Sequence, residues 1–166
     1  MDNLKSLYAL FPIVAVTVKT SFQELPINVQ DTICRVIREQ IITQGYILDN
    51  ELHAAYAIRI LAEMKNSENQ EALVTLYNRF RSPLVRRDVI LVMAKWEEYS
   101  FLADQLNEYP GASAWEKRAF IIASYSMKDA GSHWRDYMAP QFNPFEKIVR
   151  DWAAEKSQIK GWKIPI

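Results

Sequence analysis

The sequence predicts an all-α fold built as a stack of helix pairs, and three observations predict it. The candidate helix-opening residues Asn50, Ser82, Ser113 and Asn143 recur at steps of 32, 31 and 30 residues, a period that suits two short helices and two turns. The stretches behind them are apolar at helical spacing. Two carry a basic pair in the same place, Arg86-Arg87 after Ser82 and Lys117-Arg118 after Ser113. Only 4 glycines occur in 166 residues, and no strand-like alternation follows residue 20. About four to five helix pairs fit the chain as a helical solenoid.

In chain order, residues 4 to 18 form an apolar stretch interrupted by Pro12 and rich in β-branched residues from Ile13 to Val16. It reads equally as broken helix or short strand. With no polar face it needs a cover, so residues 1–20 either cap this chain's own core or pack against a preceding domain. Pro26 opens a helix whose Ile27, Val29, Ile33, Cys34, Val36, Ile37 and Ile41 form a broad apolar face ending near Gly45. Asn50 opens the next, to about Met64. Ser67 and Gln70 form a capping-box pattern for a partner helix carrying Leu73, Leu76, Tyr77 and Phe80.

Ser82 and Pro83 then open the most apolar helix, since a serine cap satisfies free N–H groups and proline suits the first helical position. Val85, Val89, Val92, Met93 and Trp96 share one stripe, with Leu84 and Leu91 off it, so this helix is expected to be covered on more than one side. A helix with Phe101, Leu102 and Leu106 stops at Pro110-Gly111. Ser113 with Glu116 is a second capping box. Gly131-Ser132 separates that helix from a short one with Trp134 and Tyr137, ended by Pro140. Asn143 with Glu146 opens the last, whose Phe145, Ile148, Val149 and Trp152 make an i, i+3, i+4, i+7 stripe. Residues 1–156 thus read as one helical-repeat domain and 157–166 as a frayed tail.

Basic and acidic residues number 20 each, so a strongly basic nucleic-acid module is excluded and any such binding rests on a local patch. Arg79, Arg81, Arg86 and Arg87 form the densest basic cluster, and Lys117-Arg118 follow one repeat along. Equivalent positions stack in a solenoid, so these six are the candidate contacts with RNA, DNA or a protein partner. The competing reading is structural: Arg87-Asp88, Arg135-Asp136 and Arg150-Asp151 set arginines beside acids, as helix-to-helix ion-pair ladders would. The five tryptophans, Trp96, Trp115, Trp134, Trp152 and Trp162, either stack on bases or fill the core, and Trp96 and Trp152 sit on apolar stripes.

No catalytic constellation stands out. Cys34, the single cysteine, lies within an apolar face and reads as a packed thiol, which fits a reducing compartment. His53 and His133 are the only histidines. Asp49, Glu51 and His53 alternate just before a helix, which converges metal ligands poorly. Glu97-Glu98 reads as a solvated helix end. No glycine loop suits a phosphate, so no metal, cofactor or catalytic residue is expected. The amino terminus lacks the basic start of a signal peptide, and no stretch is long enough to span a bilayer. A cytoplasmic protein without membrane contact is expected.

Ser82-Pro83-Leu84-Val85-Arg86-Arg87-Asp88 resembles the helix-opening motif of HEAT repeats, in which proline starts a helix and arginine ties repeats together. The implied architecture is a HEAT/ARM-like αα-solenoid. Across residues 50 to 156, LHAAYAIRILAE, SPLVRRDVILVMAKW, WEKRAFIIASY, HWR and NPFEKIVRDWA together resemble the helical region that follows the polymerase domain in bacterial RNA-directed DNA polymerases (reverse transcriptases). The catalytic Tyr-x-Asp-Asp signature of that family is absent. The resemblance implies a non-catalytic accessory domain, part of a larger enzyme or free-standing, contacting nucleic acid, the polymerase domain or another protein. Two other classes fit a helical stack. One is a free-standing protein–protein scaffold with an apolar concave face. The other resembles alkylpurine DNA glycosylases, which need a basic groove with an acid among aromatics; Trp134-Arg135-Asp136 matches that only loosely.

Overall fold

The computed structural model describes residues 21–39, 51–127 and 129–166. The apolar stretch of residues 4–18, the Asn50 cap, Asp49, Ile41 and Gly45 lie outside the described residues. Among those described, every regular element is helical: α1 (Ile27–Glu39), α2 (Glu51–Leu61), α3 (Ser67–Arg79), α4 (Pro83–Lys95), α5 (Tyr99–Leu106), α6 (Ala114–Ser126), α7 (Ala130–Met138) and α8 (Pro144–Ser157), with 3₁₀ turns at Phe22–Glu24, Tyr109–Gly111 and Ala139–Gln141. The all-α expectation holds. Helices α2, α4, α6 and α8 begin at residues 51, 83, 114 and 144, and the helices between them at 67, 99 and 130. Contacts gather the chain into two compact units, Met1–Val85 and Arg86–Ile166.

In the first unit, α1 packs on α2 and α3, and α2 packs on α3. The face that α1 buries is narrower than its sequence suggests. Gln30, Cys34 and Ile37 are buried, whereas Ile27, Val29 and Val36 are exposed. Positions i, i+4 and i+7 make one stripe, and a helix covered along one stripe buries little else. Gln30 joins it because its side-chain amide donates to the Leu25 carbonyl at 2.9 Å. Burial pushes the Cys34 thiol up from its ordinary pKa, which suits a packed thiol. Helix α2 is buried nearly all round, through His53, Ala54, Ala55, Ala57, Ile58, Ile60 and Leu61.

Two caps in this unit differ from the sequence reading. Helix α3 is capped by Asn66, whose side chain accepts from the Asn69 N–H at 2.8 Å, one residue before the expected Ser67. Asparagine caps at least as well as serine, and the Asn69 amide also donates to the Met64 carbonyl at 2.8 Å. Ser82 precedes α4, but its hydroxyl is buried with no hydrogen-bond partner. The helix therefore starts on the fixed backbone of Pro83 without a side-chain cap.

Helix α4 begins in the first unit and continues into the second. Val85 and Val89 through Ala94 are buried on all sides and Leu84 is half-buried, as expected of a helix covered more than once. It closes in a Schellman turn: the Glu98 N–H donates to the Met93 carbonyl at 2.9 Å and the Glu97 N–H to the Ala94 carbonyl at 3.1 Å. Glu97 holds the left-handed position with φ of 62°.

Helix α6 is the centre of the second unit, packing on both α7 and α8. Six consecutive residues, Ala119 to Ser124, are buried. Burying an isoleucine or phenylalanine side chain contributes about 1.5–3 kcal/mol, so this run anchors the unit. Gly131 lies inside α7 rather than between helices. A Cβ there would sit 1.9 Å from the Ser124 carbonyl oxygen. The bare backbone lets α7 approach the C-terminal turn of α6, where the Arg135 guanidinium donates to that carbonyl at 2.7 Å. An orphan carbonyl at a helix C-terminus thus receives a cation, which its dipole favours.

Helix α8 corrects a second expectation. Phe145 and Ile148 were expected to share a core stripe with Val149 and Trp152. Phe145 is 51% and Ile148 66% exposed, Trp152 is half-buried, and the buried face is Glu146, Val149 and Ala153. The helix is rolled so that its capping glutamate points inward and the large apolar residues outward. Beyond it, turn hydrogen bonds link Ile159 to Lys156 and Trp162 to Ile159, each at 3.0 Å.

Candidate nucleic-acid and partner interface

Helices α6 and α8 both open with complete capping boxes. The Ser113 hydroxyl accepts from the Glu116 N–H at 3.2 Å, and Glu116 Oε2 accepts from the Ser113 N–H at 3.0 Å. Asn143 Oδ1 accepts from the Glu146 N–H at 2.8 Å, and Glu146 Oε2 accepts from the Asn143 N–H at 3.2 Å. Both glutamates are buried. In each, one carboxylate oxygen serves the cap and the other faces a cation. Arg86 lies 3.1 Å from Glu116 Oε1, and Lys117 lies 4.0 Å from Glu146 Oε1. Arg86 also meets Glu108 at 3.2 Å.

These two pairs share one register. Counting from Pro83 and Ala114 as first helical residues, Arg86 and Lys117 are each fourth; the glutamate each meets is third in the helix after next, α6 or α8. A carboxylate at the third position is favoured by the helix dipole and fixed by its cap. The cation then compensates a charge that burial would otherwise penalise. Tyr109 completes the second rung. Its ring is buried, the Lys117 ammonium lies 5.4 Å from the ring centroid, and burial together with the Glu146 charge holds the phenol protonated well above its usual range.

The six basic candidates therefore do different things. Arg79 and Arg81, in the first unit, are exposed. In the second, Arg86 and Lys117 are engaged in the two rungs. Arg87 and Arg118 converge on Trp115, with their guanidinium carbons 5.3 Å and 6.0 Å from its ring centroid. Trp115 is 44% exposed, and both arginines are half-buried. Arg87 is also held by the buried carboxylate of Asp88 at 2.7 Å. Trp96 and Trp134 are buried, Trp152 and Trp162 are half-buried, and Trp115 is the most exposed of the five.

The ladder that the sequence offered as a structural reading exists, but with other acids. Arg87-Asp88 and Arg150-Asp151 pair with their own neighbours, and Arg135 serves the Ser124 carbonyl while lying 4.7 Å from the Tyr125 ring centroid. The helix-to-helix acceptors are Glu116 and Glu146, which the sequence marked only as caps. Their spacing of about 30 residues from Arg86 and Lys117 was the signal that linked them. In the first unit a related contact joins Arg38 to Glu68 at 2.8 Å and to Asn69.

Among the described residues no three His, Cys, Asp or Glu side chains converge as metal ligands, and no helix is long and apolar enough to cross a membrane. His53 is buried, and burial pushes its pKa down. Glu97 and Asp129, with Tyr99, Met127 and Ala130, line an open recess of about 300 Å³, which gathers no nucleophile–base pair. No family model, curated protein or solved structure matches the chain.

Proposed function

We propose that this chain is a non-catalytic, HEAT-like helical-repeat module serving macromolecular contact, of the kind found as an accessory C-terminal domain in bacterial reverse transcriptases. The observation that carries the repeat reading is the ion pair repeated in one register, Arg86 to Glu116 and Lys117 to Glu146. Helix starts at 51, 83, 114 and 144 support it. The resemblance in segments from residue 50 to 156 supports the assignment to the polymerase-associated class.

Nucleic-acid contact, on this reading, runs through Trp115 with Arg87 and Arg118, not along the whole basic cluster. A partly exposed indole with two guanidinium groups gathered at its ring offers one aromatic and cationic patch, able to meet an unpaired base at the exposed part of the ring and to supply positive charge for phosphates. The test is fluorescence anisotropy with a labelled RNA carrying single-stranded loops, across a salt series. Binding that weakens steeply with salt and falls on Trp115→Ala or Arg118→Ala supports the surface. No binding at low salt removes nucleic acid from the proposal. A second reading, a free-standing protein–protein scaffold, is favoured by the exposed Phe145 and Ile148 of α8.

A further inference from the structure

The repeated register leaves one position open. The fourth residue of α4 is Arg86, of α6 Lys117, and of α8 Lys147. The first two are half-buried and meet a capping glutamate. Lys147 is exposed and has no carboxylate within ion-pair distance among the described residues. The positions around it repeat the contrast. At the fifth, Arg87 and Arg118 are half-buried where Ile148 is exposed; at the eighth, Ile90 and Ile121 are buried where Asp151 is exposed. The outward face of α8 thus corresponds to the faces that neighbouring helices cover on α4 and α6. It is also apolar, with Phe145 and Ile148 exposed beside Lys147.

We propose that this face receives a helix of a protein partner that opens with a Ser/Asn-x-x-Glu capping box. The partner's third-position glutamate would meet Lys147 as Glu116 meets Arg86, over Phe145 and Ile148. The proposal rests on the repeat reading above, because the register defines the partner's chemistry. A second copy of this chain fits less well: among the described residues its capping-box glutamates, Glu116 and Glu146, are already buried in rungs. Nucleic acid fits less well too, since Asp151 neutralises Arg150 at 2.7 Å and a phosphate track needs several cations.

The probe is a labelled synthetic peptide of residues 142–158, which carries the Asn143–Glu146 box, titrated into the full chain. Saturable binding is expected, weakened about tenfold by Lys147→Glu in the chain, and restored when that variant meets a peptide with Glu146→Lys. Ile148→Asp in the chain is expected to abolish binding while leaving its melting temperature unchanged. Absence of binding, or binding indifferent to both chain variants, overturns the proposal. So does sedimentation showing that the chain alone dimerises and that Lys147→Glu dissolves the dimer, because the occupant is then a second copy. The underlying repeat reading fails separately, if double-mutant cycles find no coupling between Arg86 and Glu116 or between Lys117 and Glu146.

Discussion

Helices α6 and α8 start from nearly the same text and reach different environments. Both have an N-cap that accepts from the third residue, a buried third-position glutamate, and a lysine fourth. Helix α6 then buries every residue from Ala119 to Ser124, whereas α8 buries Val149 and Ala153 and exposes Ile148 at 66%. The capping box sets where a helix begins and which way its glutamate points. How much of the remaining surface is buried depends on how many neighbours the helix has, and α6 lies against both α7 and α8.

The strongest way to break this comparison is to truncate an isoleucine on each helix. Ile121→Ala is expected to lower the unfolding free energy by about 2–5 kcal/mol, since it leaves a cavity in a packed interior. Ile148→Ala is expected to change it by less than about 0.5 kcal/mol, as surface substitutions do. Urea denaturation of the two variants measures both. A large loss at Ile148 would mean that α8 is covered on its outward side within this chain.

The two rungs sharpen it next. Arg86 and Glu116 are both nearly buried at 3.1 Å, whereas Lys117 stands 4.0 Å from Glu146. Arg86→Ala leaves a buried carboxylate short of its cation and is expected to cost about 2–4 kcal/mol. Lys117→Ala is expected to cost about 1 kcal/mol, the scale of one ordinary polar contact. Chemical denaturation, with Glu116→Gln and Glu146→Gln closing the cycles, separates the couplings. Equal losses would show that distance does not grade the rungs.

The parts of this molecule that sequence conveyed are those set within a few residues. The boxes at Ser113 and Asn143 are legible because cap and partner lie three positions apart. The cap of α3 slipped from Ser67 to Asn66 because two good capping residues stand side by side and only the chain's path chooses between them. The outward roll of α8 was not legible, since Phe145, Ile148, Val149 and Trp152 are as regular a stripe as any core helix shows. Glu146, at the third position, decides the roll, because its buried carboxylate must face both Lys117 and its own cap. Arginines beside aspartates suggested ladders, but neighbours in sequence pair with each other, and the true rungs join residues about 30 apart. Trp115 stood out only once Arg87 and Arg118 were seen on either side of it in sequence brought to one ring.

Helices α4 and α6 also differ in how they end. Helix α6 has Arg135 donating to its Ser124 carbonyl, while α4 relies on a Schellman turn with Glu97 at φ 62°. That backbone region costs a residue with a side chain roughly 1–2 kcal/mol, and glycine enters it freely. Glycine also loses more chain entropy on folding, which offsets part of the gain. Glu97→Gly is therefore expected to stabilise the chain by about 0.5–1 kcal/mol, read as a higher denaturation midpoint at unchanged slope. A loss of stability instead would mean that the Glu97 side chain contributes more than its backbone strain costs. Because Glu97 borders the recess with Tyr99 and Asp129, that outcome would move attention from the helix end to a role for its carboxylate there.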